Sequence, residues 1–196
     1  AVSSAGDVNG DGLDDIIIGA PAGDDGGNAA GEAYVIFGNS AAVGVADATG
    51  RRVIDLSSLS WAQGFIIQGD VTLDLAGAAV ASAGDINGDG FEDLLVGARY
   101  GDDGGINAGE AYVVYGRASG FGTSVITGGF SRQVIDLTTI TATSGFAIQG
   151  DLAGDLAGFT VSAAGDVNGD GYDDLLVGAP GGDDGGSGAG ESYVIF

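Results

Sequence analysis

An all-β repeat fold is predicted by three observations. Short runs rich in Val, Ile and aromatic residues recur between breaks of Gly and Asp. Glycine supplies 41 of the 196 residues, which favours turns and closely packed strands over long helices. One nine-residue pattern, Asp-x-Asn-Gly-Asp-Gly-x-x-Asp, is written three times, at Asp7–Asp15, Asp85–Asp93 and Asp166–Asp174. Copies at long, near-equal spacing are the signature of a repeat architecture.

The three copies lie 78 and 81 residues apart, and Glu32, Glu110 and Glu191 keep those spacings. Val53 to Val134 and Phe65 to Phe146 are already 81 apart, so the three extra residues fall between Glu110 and Val134. That places them in the polar, Gly-rich stretch Gly116–Ser131, which reads as a surface loop.

The second repeat predicts four main strands. Gly77–Gly84 precedes the nine-residue loop and Asp93–Ala98 follows it. Glu110–Tyr115 and Gly145–Gln149 complete the set, with Gln133–Leu137 as a weaker strand before the last. The cores Leu94-Leu95-Val96 and Tyr112-Val113-Val114-Tyr115 are apolar on both faces, as expected of strands buried on both sides. Four antiparallel strands covered on both faces describe a propeller blade. The expected division is repeat 1 over 1–78, repeat 2 over 79–159 and a partial repeat 3 over 160–196. Together they form one incomplete β-propeller unit of about two and a half repeats, to be completed by further repeats or by identical chains. Ala1 already lies inside a repeat, so the sequence reads as a piece of something longer.

Composition narrows the function. Apolar content of 44% is enough for a core, which opposes the disorder that a net charge of −23 would otherwise suggest. The same charge repels nucleic acid and anionic lipid. No run approaches the ~20 apolar residues of a membrane span, so membrane insertion is not expected. The absence of Cys excludes a disulfide framework, and the absence of His excludes a Ser-His-Asp triad and any imidazole metal site.

The nine-residue loops are candidate Ca2+ sites, about three ions in all. Alternate oxygen-bearing residues around a sharp turn form a cage for a hard divalent cation. The side-chain ligands would be Asp7, Asn9, Asp11 and Asp15; Asp85, Asn87, Asp89 and Asp93; and Asp166, Asn168, Asp170 and Asp174. Leu13, Phe91 and Tyr172 would each add a backbone carbonyl, with the apolar side chain anchoring the loop to the core. A helical EF-hand shares the opening residues but needs a carboxylate at position 12, where this chain has Ile18, Val96 or Val177. The loop therefore belongs in a β-hairpin. The eighth position, Asp14, Glu92 or Asp173, reads as a solvated charge, with support of the ligand residues from outside the cage as the other reading.

The loop, the apolar strand after it and the following Gly19-Ala20-Pro21 or Gly178-Ala179-Pro180 resemble the FG-GAP repeats of the integrin α-subunit propeller. The long FG-GAP-type repeats of large bacterial surface and secreted proteins are more similar still. The middle repeat departs, with Arg99 in place of Pro, and the "FG" half is degenerate at Leu75–Ala78 and Leu156–Phe159. The resemblance implies Ca2+ in hairpin loops on one propeller rim, an extracellular or cell-surface location, and a role in adhesion or protein interaction without catalysis. A protein or glycan ligand is then expected. Two other functions remain open: a structural repeat subunit of a surface layer, fibre or filament, and an accessory propeller of a secreted hydrolase or lyase.

Two further patterns recur. Gly-Asp-Asp-Gly-Gly occurs at Gly23–Gly27, Gly101–Gly105 and Gly182–Gly186; it reads as a solvated loop, because its adjacent acids lack alternate-residue ligand spacing, with a second cation site using Asp24/Asp25, Asp102/Asp103 or Asp183/Asp184 as the other reading. Asp70/Asp74 and Asp151/Asp155 recur in register and read as a structural turn, not as a glycosidase pair.

Overall fold

The computed structural model describes residues 1–41, 43–127 and 129–196. Apart from two short 3-10 turns, at Leu56–Ser58 and Leu137–Thr139, its regular structure is all β. The first repeat contributes β1 (Val2–Gly6), β2 (Asp15–Ala20), β3 (Glu32–Ile36), a small hairpin β4 (Val45–Ala46) and β5 (Arg52–Val53), and β6 (Gly64–Gln68). The second contributes β7 (Ala79–Gly84), β8 (Asp93–Ala98), β9 (Glu110–Val114), β10 (Thr123–Thr127), β11 (Phe130–Asp136) and β12 (Gly145–Gln149). The third contributes β13 (Thr160–Gly165), β14 (Asp174–Ala179) and β15 (Glu191–Ile195).

These strands form blades. β1-β2-β3-β6 and β7-β8-β9-β12 are four-stranded antiparallel meanders, and β13-β14-β15 has the first three strands of the same plan. β7 lies between β1 and β13, so the first strands of successive blades are neighbours. Alternation along the central blade explains its two apolar faces. Leu94 and Val96 of β8 point into a cluster with Ile17, Val35 and Phe65 of the first blade. Leu95, between them, points the other way, into a cluster with Leu175 and Ile195 of the third. Every residue of β8 and β9 is buried as a result.

The stretch Gly116–Ser131, expected as a loop, contains β10, although residue 128 is outside the described residues. Its Thr-Ser-Val-Ile-Thr run is β-branched and pairs with β11 from Thr123↔Val134 to Thr127↔Phe130. β11 is longer than the weak strand expected there, and it joins the first blade, not its own. It runs parallel to β6, with Val134↔Ile66, Ile135↔Ile67 and Asp136↔Gln68 in register. The second repeat thus laces itself to the outer edge of the first blade.

Two anchors fix the hairpin. Phe121 stacks on Phe65 with ring centroids 4.2 Å apart and planes 6° from parallel, and Phe37 closes the cluster at 5.6 Å. Arg132 of β11, almost wholly buried, pairs with Asp25 of the first repeat at 2.9 Å. Phe121→Ala should destabilise the chain by about 3 kcal/mol in a urea titration, the usual cost of deleting a buried aromatic. Ile126→Thr, on the exposed face of β10, should stay within about 0.5 kcal/mol of wild type.

Candidate metal centre

Each nine-residue loop joins the first and second strands of a blade, immediately after a β-bulge at Ser4/Gly6, Ser82/Gly84 or Ala163/Gly165. The EF-hand alternative is therefore set aside by β-structure on both sides. Within the first loop, Asp7 Oδ1 accepts from the Asp11 N–H at 3.0 Å and Oδ2 from the Gly12 N–H at 2.8 Å. Asn9 Oδ1 also accepts from the Asp11 N–H, and Asp11 Oδ1 accepts from the Leu13 N–H. The second loop repeats this with Asp85, Asn87 and Asp89, and the third with Asp166, Asn168 and Asp170. Side-chain oxygens of the first, third and fifth positions therefore converge on the loop's own amides.

The ninth position behaves differently. Asp15, Asp93 and Asp174 are buried at the start of the second strand of each blade. Asp15 accepts from the Val8 N–H at 3.1 Å and the Gly38 N–H at 2.7 Å, and Asp93 accepts from Ile86 and Gly116 at 3.2 and 2.8 Å. One carboxylate so ties the loop entry to the chain leaving the third strand. Burial is the main cause that pushes Asp15 up to about 6 and Asp93 up to about 7, against the lowering effect of these amides. Asp174 accepts from Val167 and Asn168, while its buried Oδ1 has no partner among the described residues.

The seventh and eighth positions do something the sequence reading did not anticipate. Their side chains cross to the preceding loop instead of anchoring their own. A Cβ placed on Gly10 would lie 2.5 Å from the Phe91 ring, and one on Gly88 would lie 2.5 Å from the Tyr172 ring. Glu92, expected in solvent, accepts from Ser82 Oγ at 3.1 Å and lies against Gly6, and Asp173 accepts from the Asp85 N–H at 3.2 Å. The backbone links the loops as well: Glu92 N–H donates to Asp7 O, and Arg117 N–H to Val8 O. Leu13, at the seventh position of the first loop, is exposed.

Two other clusters bring three carboxylates together, each with an oxygen within 4.8 Å of the others: Asp70, Asp74 and Glu110, and Asp151, Asp184 and Glu191. These clusters, and not the nine-residue loops, have that density of carboxylates. The Tyr112 hydroxyl lies within hydrogen-bond reach of both Asp70 and Glu110, and that of Tyr193 of both Asp151 and Glu191, each with one proton to donate. The register of Asp70/Asp74 signalled the turn, but only folding adds Glu110 from β9. Burial first, then the neighbouring charges, pushes Asp74 up to about 7; burial also raises Glu110. The first two Gly-Asp-Asp-Gly-Gly segments are loops fastened by their first Asp, since Asp24 and Asp102 accept from the Ala29 and Asn107 N–H groups. Asp184, of the third segment, alone among the acids of all three enters a three-carboxylate cluster.

Blades of this plan, each with an acidic hairpin loop on the same edge, define a repeat class built for stacking. The chain belongs to the FG-GAP repeat family, matching it at residues 1–36, 76–114 and 157–195. Among similar proteins, integrin alpha-PS2 of Drosophila melanogaster is 33% identical over 181 residues, covering 88% of this chain and 11% of that protein. Integrin alpha-IIb of Mus musculus is 30% identical over 180 residues, covering 89% and 14%. Integrin alpha pat-2 of Caenorhabditis elegans is 30% identical over 185 residues, covering 88% and 12%. The chain therefore spans only a small part of these relatives' length.

The ring contacts between loops predict unequal glycine costs. Gly88 and Gly90 both have positive φ, +72° and +89°, so Ala at either strains the backbone by roughly 1 kcal/mol or more. Gly88→Ala must also displace the Tyr172 ring, whereas nothing lies within 4 Å at Gly90. Gly88→Ala should be the more damaging by urea titration, and Tyr172→Ala should abolish the difference.

The buried acid predicts a pH dependence. Asp74 is raised from 3.8 to about 7, so its contribution to stability is full below 3.8 and is lost as pH rises through about 7. In excess chelator the melting temperature should fall across that window, and Asp74→Asn should make the fall shallower. Identical slopes for the two proteins would contradict the assignment.

Proposed function

We propose that this chain is a calcium-binding module for extracellular adhesion or protein interaction, and that it has no catalytic role. The observation that carries the reading is the recurrence of one all-oxygen loop at one position of three stacked blades. Membership in the FG-GAP family and similarity to integrin alpha subunits support it. No helix among the described residues is long and apolar enough to cross a membrane. Location outside the cell rests on the named relatives.

The donor chemistry fits a hard cation. Asp7, Asn9 and Asp11, with their counterparts Asp85, Asn87, Asp89, Asp166, Asn168 and Asp170, offer only oxygen ligands from exposed loops. The carbonyls of Leu13, Phe91 and Tyr172 and the carboxylates of Asp15, Asp93 and Asp174 complete the set of ligands. When bound, the ion supplies positive charge where several carboxylates face each other. The chain's own part is to hold the first three oxygens on loop amides and to keep the ninth carboxylate in place through Val8 and Gly38, or Ile86 and Gly116. Because the rings of Phe91 and Tyr172 cover the preceding loops, an ion in one loop also stiffens its neighbour.

Calorimetric titration tests this. Wild type should take about three Ca2+ with Kd near 10−4–10−3 M, the range of extracellular modules. At one hundred times Kd each site would add about 2.7 kcal/mol of stability. Asp89→Ala should remove one site and leave two. Unchanged stoichiometry in the variant, or no heat in wild type, would refute the ligand set.

A further inference from the structure

The acids Asp70, Asp74 and Glu110 receive two protons between them. The Asp103 N–H donates to Glu110 at 2.9 Å, and the Tyr112 hydroxyl has one more to give, to Asp70 or to Glu110. Asp70 Oδ1 is buried without a partner. Asp74 is 2% exposed, and its carboxylate accepts no hydrogen bond among the described residues. It nevertheless points into the cluster, with an oxygen within 4.8 Å of the other two carboxylates.

The turn itself does not demand this. Asp155 holds the same place before the third blade and is as deeply buried, yet it accepts from the Leu152 N–H at 3.1 Å. Asp74 lacks that bond and faces acids instead, with Asp102 and Asp103 adding to the negative field around it. Neither ion pair among the described residues involves the three acids. A carboxylate taken out of water without a donor or a counter-charge is costly, and carboxylates that face one another repel.

We infer that Asp70, Asp74 and Glu110 hold one Ca2+ between the first two repeats, at a site separate from the nine-residue loops. Ca2+–O distances of about 2.3–2.6 Å put ligands on opposite sides of one ion roughly 5 Å apart. Oxygens that all lie within 4.8 Å of one another therefore fit a single ion. The donors are all oxygen, which suits a hard cation, and Mg2+ is disfavoured because it keeps several waters of its own. Glu110 opens β9 and pairs with Ala98, at the far end of β8 from Asp93. The site thus lies at the opposite end of the blade from the loops, where it ties the turn after β6 to the following repeat. Asp74 and Glu110 are buried, so their attraction for the ion is screened less than that of the exposed loops. A Kd of about 10−6 M or below is expected, tighter than the loops. The inference does not depend on the loops holding an ion.

Elemental analysis tests it. The protein is saturated with Ca2+ and then dialysed exhaustively against calcium-free buffer without chelator, at about pH 8 so that the ligands are deprotonated. Loops with Kd near 10−4–10−3 M lose their ions under these conditions, and wild type should retain about one Ca2+ per chain. Excess chelator should then release it. Asp70→Asn and Asp74→Asn nearly keep the shape of the residue replaced, and each should retain one ion fewer than wild type, whatever the loops hold. Asp183→Asn removes one exposed charge elsewhere and should retain as many ions as wild type. Far-UV circular dichroism verifies the fold, and either Asn variant of the cluster suffices if the other does not fold. No Ca2+ retained in wild type, an unchanged count in a folded Asp70→Asn or Asp74→Asn variant, or an equal loss in Asp183→Asn would overturn the inference.

Discussion

Asp15 and Asp93 sit at the first residue of a blade's second strand, buried, with both carboxylate oxygens committed to backbone amides. One amide belongs to the start of the nine-residue loop and the other to the segment leaving the third strand. Three parts of the blade that are distant in sequence are thereby held at one point. The loop's remaining acids can then converge on their own amides, because the ends of the loop are already fixed. Burial makes the arrangement costly for a charged group, and it pushes both carboxyls upward.

From that point the contacts run between blades. The loop held by Asp93 sends Phe91 over Gly10 and the Glu92 N–H to Asp7 O; the third loop sends Tyr172 over Gly88 and Asp173 to the Asp85 N–H. On the outer edge the β10–β11 hairpin lies on β6 and carries Phe121 and Arg132 into the first repeat. Between these two seams, alternating side chains of β8 and β9 fill both interfaces. Such a blade is stable in proportion to its neighbours, as expected when each repeat buries its faces only on the next.

Much of this was legible in the residues. The runs Asp93–Ala98 and Gly145–Gln149 are strands with the expected bounds, because Gly and Asp mark their ends and apolar residues fill them. Apolar residues at consecutive positions of Leu94-Leu95-Val96 correctly signalled burial on both faces. Partner choice was not legible. Gln133–Leu137 reads as a strand, but nothing local says that it pairs with another blade, since parallel pairing is decided by tertiary packing. The same limit applies to Phe91 and Glu92, whose periodicity gives a direction but not the loop that they reach. Glu110 could not be joined to Asp70 and Asp74 because a strand pairing, and not a spacing, brings them together.

The central claim is that ordering a loop orders its neighbour. Hydrogen exchange followed by mass spectrometry, with excess Ca2+ and with chelator, addresses it at the inter-blade amides of Glu92 and Arg117, which bond to Asp7 and Val8 across the seam. The account predicts that Ca2+ slows exchange at these amides as well as at Asp11, Gly12 and Leu13, and that Asp7→Ala removes the effect at Glu92. Protection confined to the loop amides, with Glu92 and Arg117 exchanging at the same rate in chelator and in Ca2+, would contradict it.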